Sequence, residues 1–495
     1  MIIGKYALES ITTGMYVNPL DVLREYIQNA ADAIDSAVDG GYLTRKDARI
    51  LISLDTLQRS LCIEDNGSGI ATERALAVLT DIGNSEKQHT QNRGFRGIGR
   101  LSGLSYSDTL TFRTSSIGEA MGVEVIFNAK KLRELLAQND ASNLSAETVV
   151  ETICSIKRFQ SSESSHFFIV QLDGVSLDSG LLDEEHIYEY LSQNAPIEYD
   201  SNKFSWAAVI SQEIPVHTYS VCLKTSHGIR NIVKPYADTL LINRTTGETD
   251  QINDIHFLNL TDGEGCSIGI AWYSVSSFKG SIVDKSIKGL RLRVGNIMIG
   301  DGQSLNHIFK DSRFNGWIAG EVFLDSSDLI PNARRDDFEH NGAYYRLMEQ
   351  LRALAVDITQ RIRSASVSRN KALDVALRKV EQVSAEVLEE LGTPVISSTT
   401  KGKLTIQVSS VRKELGELHV KPSEANLRNE ALEKLDILTG RIKGATQFRA
   451  INLIPSLSTT EKGMLARIFR NLMEHYPQEE AQKCIDMILS TYSET

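Results

Sequence analysis

The chain has 495 residues, with 53 Lys and Arg against 64 Asp and Glu, a formal charge of −11. That length suggests roughly three domains of about 150 residues each, and 41% hydrophobic residues exclude a mostly disordered chain. The acidic balance disfavours bulk electrostatic coating of nucleic acid, although a local basic groove stays open to the sequence.

Five dispersed cysteines (Cys62, Cys154, Cys222, Cys266, Cys484), none in CxxC spacing, fit neither a disulfide framework nor a zinc site. The first residues lack the basic-then-apolar pattern of a secretory signal. No run approaches the ~18 apolar residues of a membrane span. The expectation is a soluble cytoplasmic protein in a reducing compartment, with no membrane partner.

In chain order, residues 18–38 read as a helix, because Leu23, Ile27, Ala30, Ile34 and Val38 recur at spacings of three and four. Strand-like runs follow at 50–54 and 60–64, then a glycine-rich polar stretch at 66–105. Strand-like runs return at 109–113, 122–127 and 166–172. After a helical segment at 184–194, strand-like runs dominate at 205–210, 218–224, 267–273, 289–299 and 319–324. Residues 343–391 are strongly helical and 397–402 read as a linker. A short strand-like run at 403–408 precedes helical stretches at 424–442 and 459–491.

Three short patterns carry chemistry. Glu25, Asn29 and Asp32 fall at i, i+4 and i+7, which places them on one helix face, away from the apolar stripe. Asp65, Gly67 and Gly69 form Asp-x-Gly-x-Gly at the end of a strand-like run, where the backbone turns tightly beside a carboxylate. Asn92 to Ser102 (NRGFRGIGRLS) holds three glycines before a helix start, a plausible phosphate cradle with Arg96 and Arg100 adding charge. It is neither a P-loop nor a Rossmann fingerprint.

In this order the three motifs resemble the GHKL ATPases, the superfamily of gyrase, Hsp90, sensor histidine kinases and MutL. Leu23 to Asp35 (LREYIQNAADAID) and Ile82 to Lys87 (IGNSEK) resemble Hsp90 most. Far downstream, Leu324 to Asn341 (LDSSDLIPNARRDDFEHN) resembles the Hsp90 middle-domain loop that delivers an arginine to the γ-phosphate. Leu290 to Asp301 looks like the strands before it. The resemblance covers residues 1–345, and the last 150 residues do not look like the Hsp90 dimerisation domain.

The resemblance implies an α+β fold: a two-layer ATP-binding sandwich (1–195), an α/β middle domain of transducer type (196–342), a long helical segment (343–395) and a mainly helical C-terminal region (396–495). It implies ATP and Mg²⁺ as ligands. Glu25 would orient and deprotonate the attacking water, and Arg335, with Arg334 as the neighbouring candidate, would compensate phosphate charge. Asn29 would supply a neutral oxygen to Mg²⁺, and Asp65 would accept the adenine amino group, with Gly67 and Gly69 letting backbone and water approach the base. Gly94, Gly97 and Gly99 would cap the phosphates, and Lys87 would approach them from a mobile lid. Asp32, Ile70, Phe95, Arg96 and Ile98 complete the nucleotide site.

One departure stands in the run Ser164 to Leu172, where the family places a threonine near the adenine. Here Ser165 or His166 stands at that point, and Ser165 would keep the hydroxyl.

The expected function is an ATPase whose cycle drives conformational change in a homodimer, chaperone-like or remodelling, with an unidentified client. Two alternatives are a MORC-like or MutL-like clamp on nucleic acid, and a catalytically weak ATP-binding scaffold in a multi-protein system such as bacterial defence.

Overall fold

The computed structural model describes residues 18–80, 99–137, 145–262, 264–391, 398–420, 424–444, 451, 454 and 456–493. Residues 1–362 form one compact unit and 363–495 a second.

The first unit opens with helix α1 (Asp21–Asp39), then strands β1 (Arg49–Asp55) and β2 (Ser60–Asp65) and helix α2 (Thr72–Thr80). A tight helical turn at Gly99–Ser105 leads to β3 (Thr109–Ser115) and β4 (Met121–Asn128). Helices α3 (Ala129–Ala137) and α4 (Ala146–Ile153) precede β5 (Cys154–Gln160) and β6 (Phe167–Asp173). Helices α5 (Glu184–Asn194) and α6 (Ala207–Glu213) follow, then β7 (Ser220–Thr225) and β8 (Gly228–Asn231).

These eight strands make one sheet in the order β5-β4-β3-β6-β2-β1-β7-β8. It is antiparallel except where β7 runs parallel to β1. Alternation along β1 and β2 buries Ile50, Ile52, Leu54, Leu61 and Ile63. They meet Leu23, Ile27, Ala30 and Ile34 of α1 in one core, with Val38 packed at its margin.

The boundary expected at residue 195 falls inside this structure. Tyr219, Val221, Leu223 and Ile232 belong to the same core as α1, because β7 completes the hydrogen bonding of β1. The strand-like reading of 205–210 is also corrected. Ala207, Ile210 and Ile214 are buried at helical spacing, and the segment forms α6.

A second sheet comprises β9 (Thr239–Asn243), β10 (Glu248–Thr261), β11 (Ser267–Ser276), β12 (Gly289–Val294), β13 (Ile297–Ile299) and β14 (Ala319–Leu324). Its order is β13-β12-β14-β11-β10-β9, with β12 and β14 parallel. Trp272, Phe204, Tyr236 and Phe323 pack in its core.

Helix α7 (Gly342–Glu390) starts where Asn341 Oδ1 accepts the Tyr344 backbone N–H at 3.0 Å. Its first half lies in the first unit. The second unit contains the rest of α7 with α8 (Ser398–Glu417), α9 (Ala425–Gly444), α10 (Thr459–His475) and α11 (Gln478–Ser493). The linker expected at 397–402 and the strand expected at 403–408 are helical from Ser398 onward. Leu404, Val408 and Leu415 share a buried stripe at spacings of four and seven. The stretch 459–491 is two helices interrupted at Pro477, which has no backbone N–H to continue α10. No described helix is long and apolar enough to cross a membrane.

Candidate functional site

Helix α1 is enclosed on both faces. Opposite the apolar stripe, Arg24, Glu25, Gln28 and Asp32 are also buried, and Asn29 is partly buried. A charged helix face withdrawn from water needs partners, since burying an unpaired charge costs several kcal/mol. Those partners come from two distant segments.

The first is the turn at Gly99–Ser105. Tyr26 Oη donates to the Arg100 carbonyl at 3.1 Å and accepts the Gly103 N–H at 3.0 Å. Burial pushes the Tyr26 phenol well above its ordinary value, so it stays neutral. A side chain at Gly99 would strike the Glu25 carboxylate, so a glycine is required where this turn closes over it.

The second is the loop after β14. Pro331 and Phe338 bridge its base, and the Asn332 N–H donates to the Asp337 carbonyl at 2.9 Å. At its tip Arg335 adopts φ 57°, pinned by its own N–H on the Asn332 carbonyl (3.2 Å) and by the Gly300 N–H on its carbonyl (2.9 Å). The left-handed conformation costs a non-glycine residue on the order of 1–3 kcal/mol. It sends the Arg335 side chain inward, where Nε lies 3.2 Å from Glu25 Oε1 with each side chain only 11% exposed.

Arg24 adds a second link. Its Nη2 donates to the Arg334 carbonyl at 3.0 Å, across 310 positions of sequence, and its Nε lies 3.8 Å from Glu25 Oε1. Arg334 itself is exposed. Sequence reasoning passed over Arg24; the available signal was a guanidinium on the polar face of a helix, next to the carboxylate. Arg24 also faces Asp21 at 3.6 Å. Burial raises the Asp21 carboxyl above its ordinary value and Arg24 opposes it, while Tyr190 Oη donates to Asp21 at 2.7 Å.

Asp65 ends β2, is 4% exposed and accepts the Gly67 N–H at 2.9 Å. The turn is sewn to α1, because the Ser68 N–H donates to the Ala33 carbonyl at 2.9 Å. A Cβ on Gly67 would stand 2.6 Å from the Ala33 carbonyl carbon. Gly69 has φ 62° and abuts the Ser115 backbone. The Ile70 N–H donates at 2.9 Å to Thr114 Oγ1, which in turn donates to the Phe167 carbonyl at 2.9 Å. Thr114 is fully buried and was not foreseen, since a threonine in a strand carries no distinguishing signal.

Of the two residues weighed at the start of β6, His166 is the one whose side chain reaches this turn. Its Nδ1 lies 3.0 Å from both the Asn66 and Gly67 carbonyls, so that nitrogen carries a proton, and Tyr42 meets the ring edge-on. Ser165 instead closes a backbone turn on the Ser162 carbonyl. Lys87, Gly94, Phe95, Arg96, Gly97 and Ile98 lie outside the described residues.

The structure thus brings Glu25, Asn29 and Asp32 of α1, the Asp65–Ile70 turn, Gly99 and Arg335 into one compact unit, with a sheet behind and a charged helix face toward the turn and loop. Residues 17–158 match the family model described as histidine kinase-, DNA gyrase B-, and HSP90-like ATPase, so this region is a domain of that class. Similarity to individual proteins covers nearly the same ground. Chaperone protein HtpG of Serratia proteamaculans (strain 568) is 32% identical over 134 residues, 23% of this chain and 22% of the relative. HtpG of Polaromonas naphthalenivorans (strain CJ2) is 31% identical over 136 residues, 23% of this chain and 22% of the relative. HtpG of Photorhabdus laumondii is 28% identical over 143 residues, 25% and 23% respectively. The chain spans about a fifth of the length of these curated relatives.

Proposed function

We propose that this protein binds Mg-ATP between α1, the Asp65–Ile70 turn and the 92–100 segment, hydrolyses it, and uses the cycle to change conformation as a chaperone-like or remodelling ATPase. The observation that carries the reading is the meeting of Glu25 and Arg335. A buried carboxylate and a buried guanidinium, the two residues expected to serve hydrolysis, converge from opposite ends of a 362-residue unit.

Each group has work suited to its chemistry. The Asp65 carboxylate is an acceptor for an adenine amino group, held in place by the Gly67 N–H. Asn29 stands on the Glu25 face, one turn further along and partly open, and its amide oxygen fits as a neutral ligand to a divalent cation. Mg²⁺, when bound, neutralises phosphate charge. Glu25 takes the proton of the attacking water. Arg335 exchanges its carboxylate partner for phosphate oxygens as charge develops there. Homodimer formation on nucleotide binding belongs to the same proposal.

Glu25→Ala separates binding from chemistry. It should retain ATP in calorimetry and lose hydrolysis by on the order of 10²–10⁴-fold. Turnover at the wild-type rate would sink the mechanism. Asp65→Asn should weaken ATP binding, because an amide can present a donor where the base needs an acceptor.

A further inference from the structure

Away from the α1 site, a second polar cluster is buried where β12 and β14 approach the end of α5. Glu321 accepts from Arg293 Nε on one oxygen, and from Tyr199 Oη and Lys234 Nζ (2.9 Å) on the other. Arg293 also donates to the Asn296 carbonyl (2.9 Å) and the Gln193 carbonyl (2.7 Å). The Lys234, Arg293 and Glu321 side chains are 1%, 0% and 0% exposed. This hydrogen-bonded cluster therefore holds two cations against one carboxylate, and buried charges are normally balanced.

A cavity of about 220 Å³ opens beside the cluster. Its inner side includes Lys234 and Asn296, both buried, and its outer side includes the exposed Ala208 and Glu198. Ile210, Ile214 and Phe323 give it an apolar wall. Asn296 Nδ2 donates to the His217 carbonyl at 3.2 Å, while its Oδ1 is buried with no hydrogen-bond partner among the described residues. Lys234 makes one hydrogen bond through Nζ, to Glu321, and otherwise faces the Tyr199 and Phe323 rings at 4.4 and 4.8 Å. An ammonium carries three N–H donors.

From this geometry we infer that the cavity binds a small organic monocarboxylate bearing a hydroxyl beside its carboxylate and a short branched apolar tail. The carboxylate supplies the missing negative charge at Lys234. The hydroxyl donates to Asn296 Oδ1, and the tail lies against Ile210, Ile214 and Phe323. A 2-amino acid suits the site less well, because its zwitterion brings no net charge. Size agrees: a cavity of ~150 Å³ holds benzene, so this one takes roughly nine non-hydrogen atoms by proportion. Burial, reinforced by Arg293, holds the Lys234 ammonium down at about 7, as expected of a cation short of a counter-charge. The inference is independent of the nucleotide site.

The probe is 2-hydroxy-4-methylpentanoate, added to the full chain without nucleotide and followed by thermal unfolding at constant ionic strength. At tens of millimolar it should raise the midpoint by about 2–4 °C. The uncharged amide of the same acid should not. Ala208→Trp, an exposed position that blocks the mouth without touching the core, should abolish the shift, and Lys234→Met should as well. No shift in the wild type, an equal shift with the amide, or an undiminished shift in Ala208→Trp would each overturn the assignment.

Discussion

Arg335 reaches Glu25 only through a backbone conformation that side chains rarely adopt, and that conformation is fixed by hydrogen bonds from Gly300 and to Asn332. Arg334, one position earlier, presents its carbonyl to Arg24 and its side chain to solvent. Arg335→Ala should therefore lower kcat by about 10²-fold or more while ATP affinity stays nearly unchanged. Arg334→Ala should do much less. If Arg334→Ala proves the more damaging, the arginine that serves turnover is the neighbour. The glycines of the second motif make a different case. Their pattern stands out in the sequence, yet the demand on Gly67 comes from the Ala33 backbone, which a Cβ would meet at 2.6 Å. Gly67→Ala should cost about 1–3 kcal/mol, as overpacking does, and appear as a lower denaturation midpoint even without nucleotide. An unchanged midpoint would mean that α1 can move aside.

Elements with a strict period were legible and those without were not. Helix α1, β1, β2, β14 and α5 lie where local spacing puts them, because each buries one face against a single layer. The runs at 205–210 and 403–408 misled because β-branched and aromatic residues raise strand propensity over a few positions. The wider spacing of Ala207, Ile210 and Ile214, and of Leu404, Val408 and Leu415, is helical. Strand β5 gave no signal because, as the outermost strand of its sheet, it is mostly exposed along its length. Helices α8 and α9 offer a direct stability test. Gly402 and Gly440 lie inside them with open space where a Cβ would stand. Gly402→Ala and Gly440→Ala should each stabilise the second unit by about 0.5–1 kcal/mol through helix propensity. A loss of stability in thermal unfolding would mean that these glycines serve a contact beyond the folded chain.

At the scale of the whole molecule, the Glu321 cluster ties strands of the second sheet to the end of α5. Burial alone would raise the Glu321 carboxyl, but Arg293 and Lys234, with the Tyr199 hydroxyl, overcome it and hold it at about 2, below its ordinary 4.5. The folded chain thus binds fewer protons here than the unfolded chain between those values. The stabilising contribution is complete above about pH 4.5 and is lost as pH falls through about 2. Glu321→Gln should be destabilised at neutral pH by about 3–5 kcal/mol and show a flatter acid-unfolding profile than the wild type. An identical acid profile would remove Glu321 from the account. On the proposed cycle, a non-hydrolysable ATP analogue with Mg²⁺ should shift the chain to a dimer in light scattering; no change at saturation would refute nucleotide-driven association. Read alone, the residues supplied the helix face of Glu25, Asn29 and Asp32 and the Asp65–Gly69 turn, since both are short patterns whose chemistry is set by neighbours a few positions away. The three-dimensional fold supplied the rest. It joins β7 to β1 across some 170 residues by parallel pairing, brings Arg24 and Arg335 onto the carboxylate, and turns His166 rather than Ser165 toward the turn. It also buries Lys234, Arg293 and Glu321, which in sequence read as ordinary strand charges. No local pattern encodes such contacts, because a charge in a strand becomes buried only when distant elements cover both faces of its sheet.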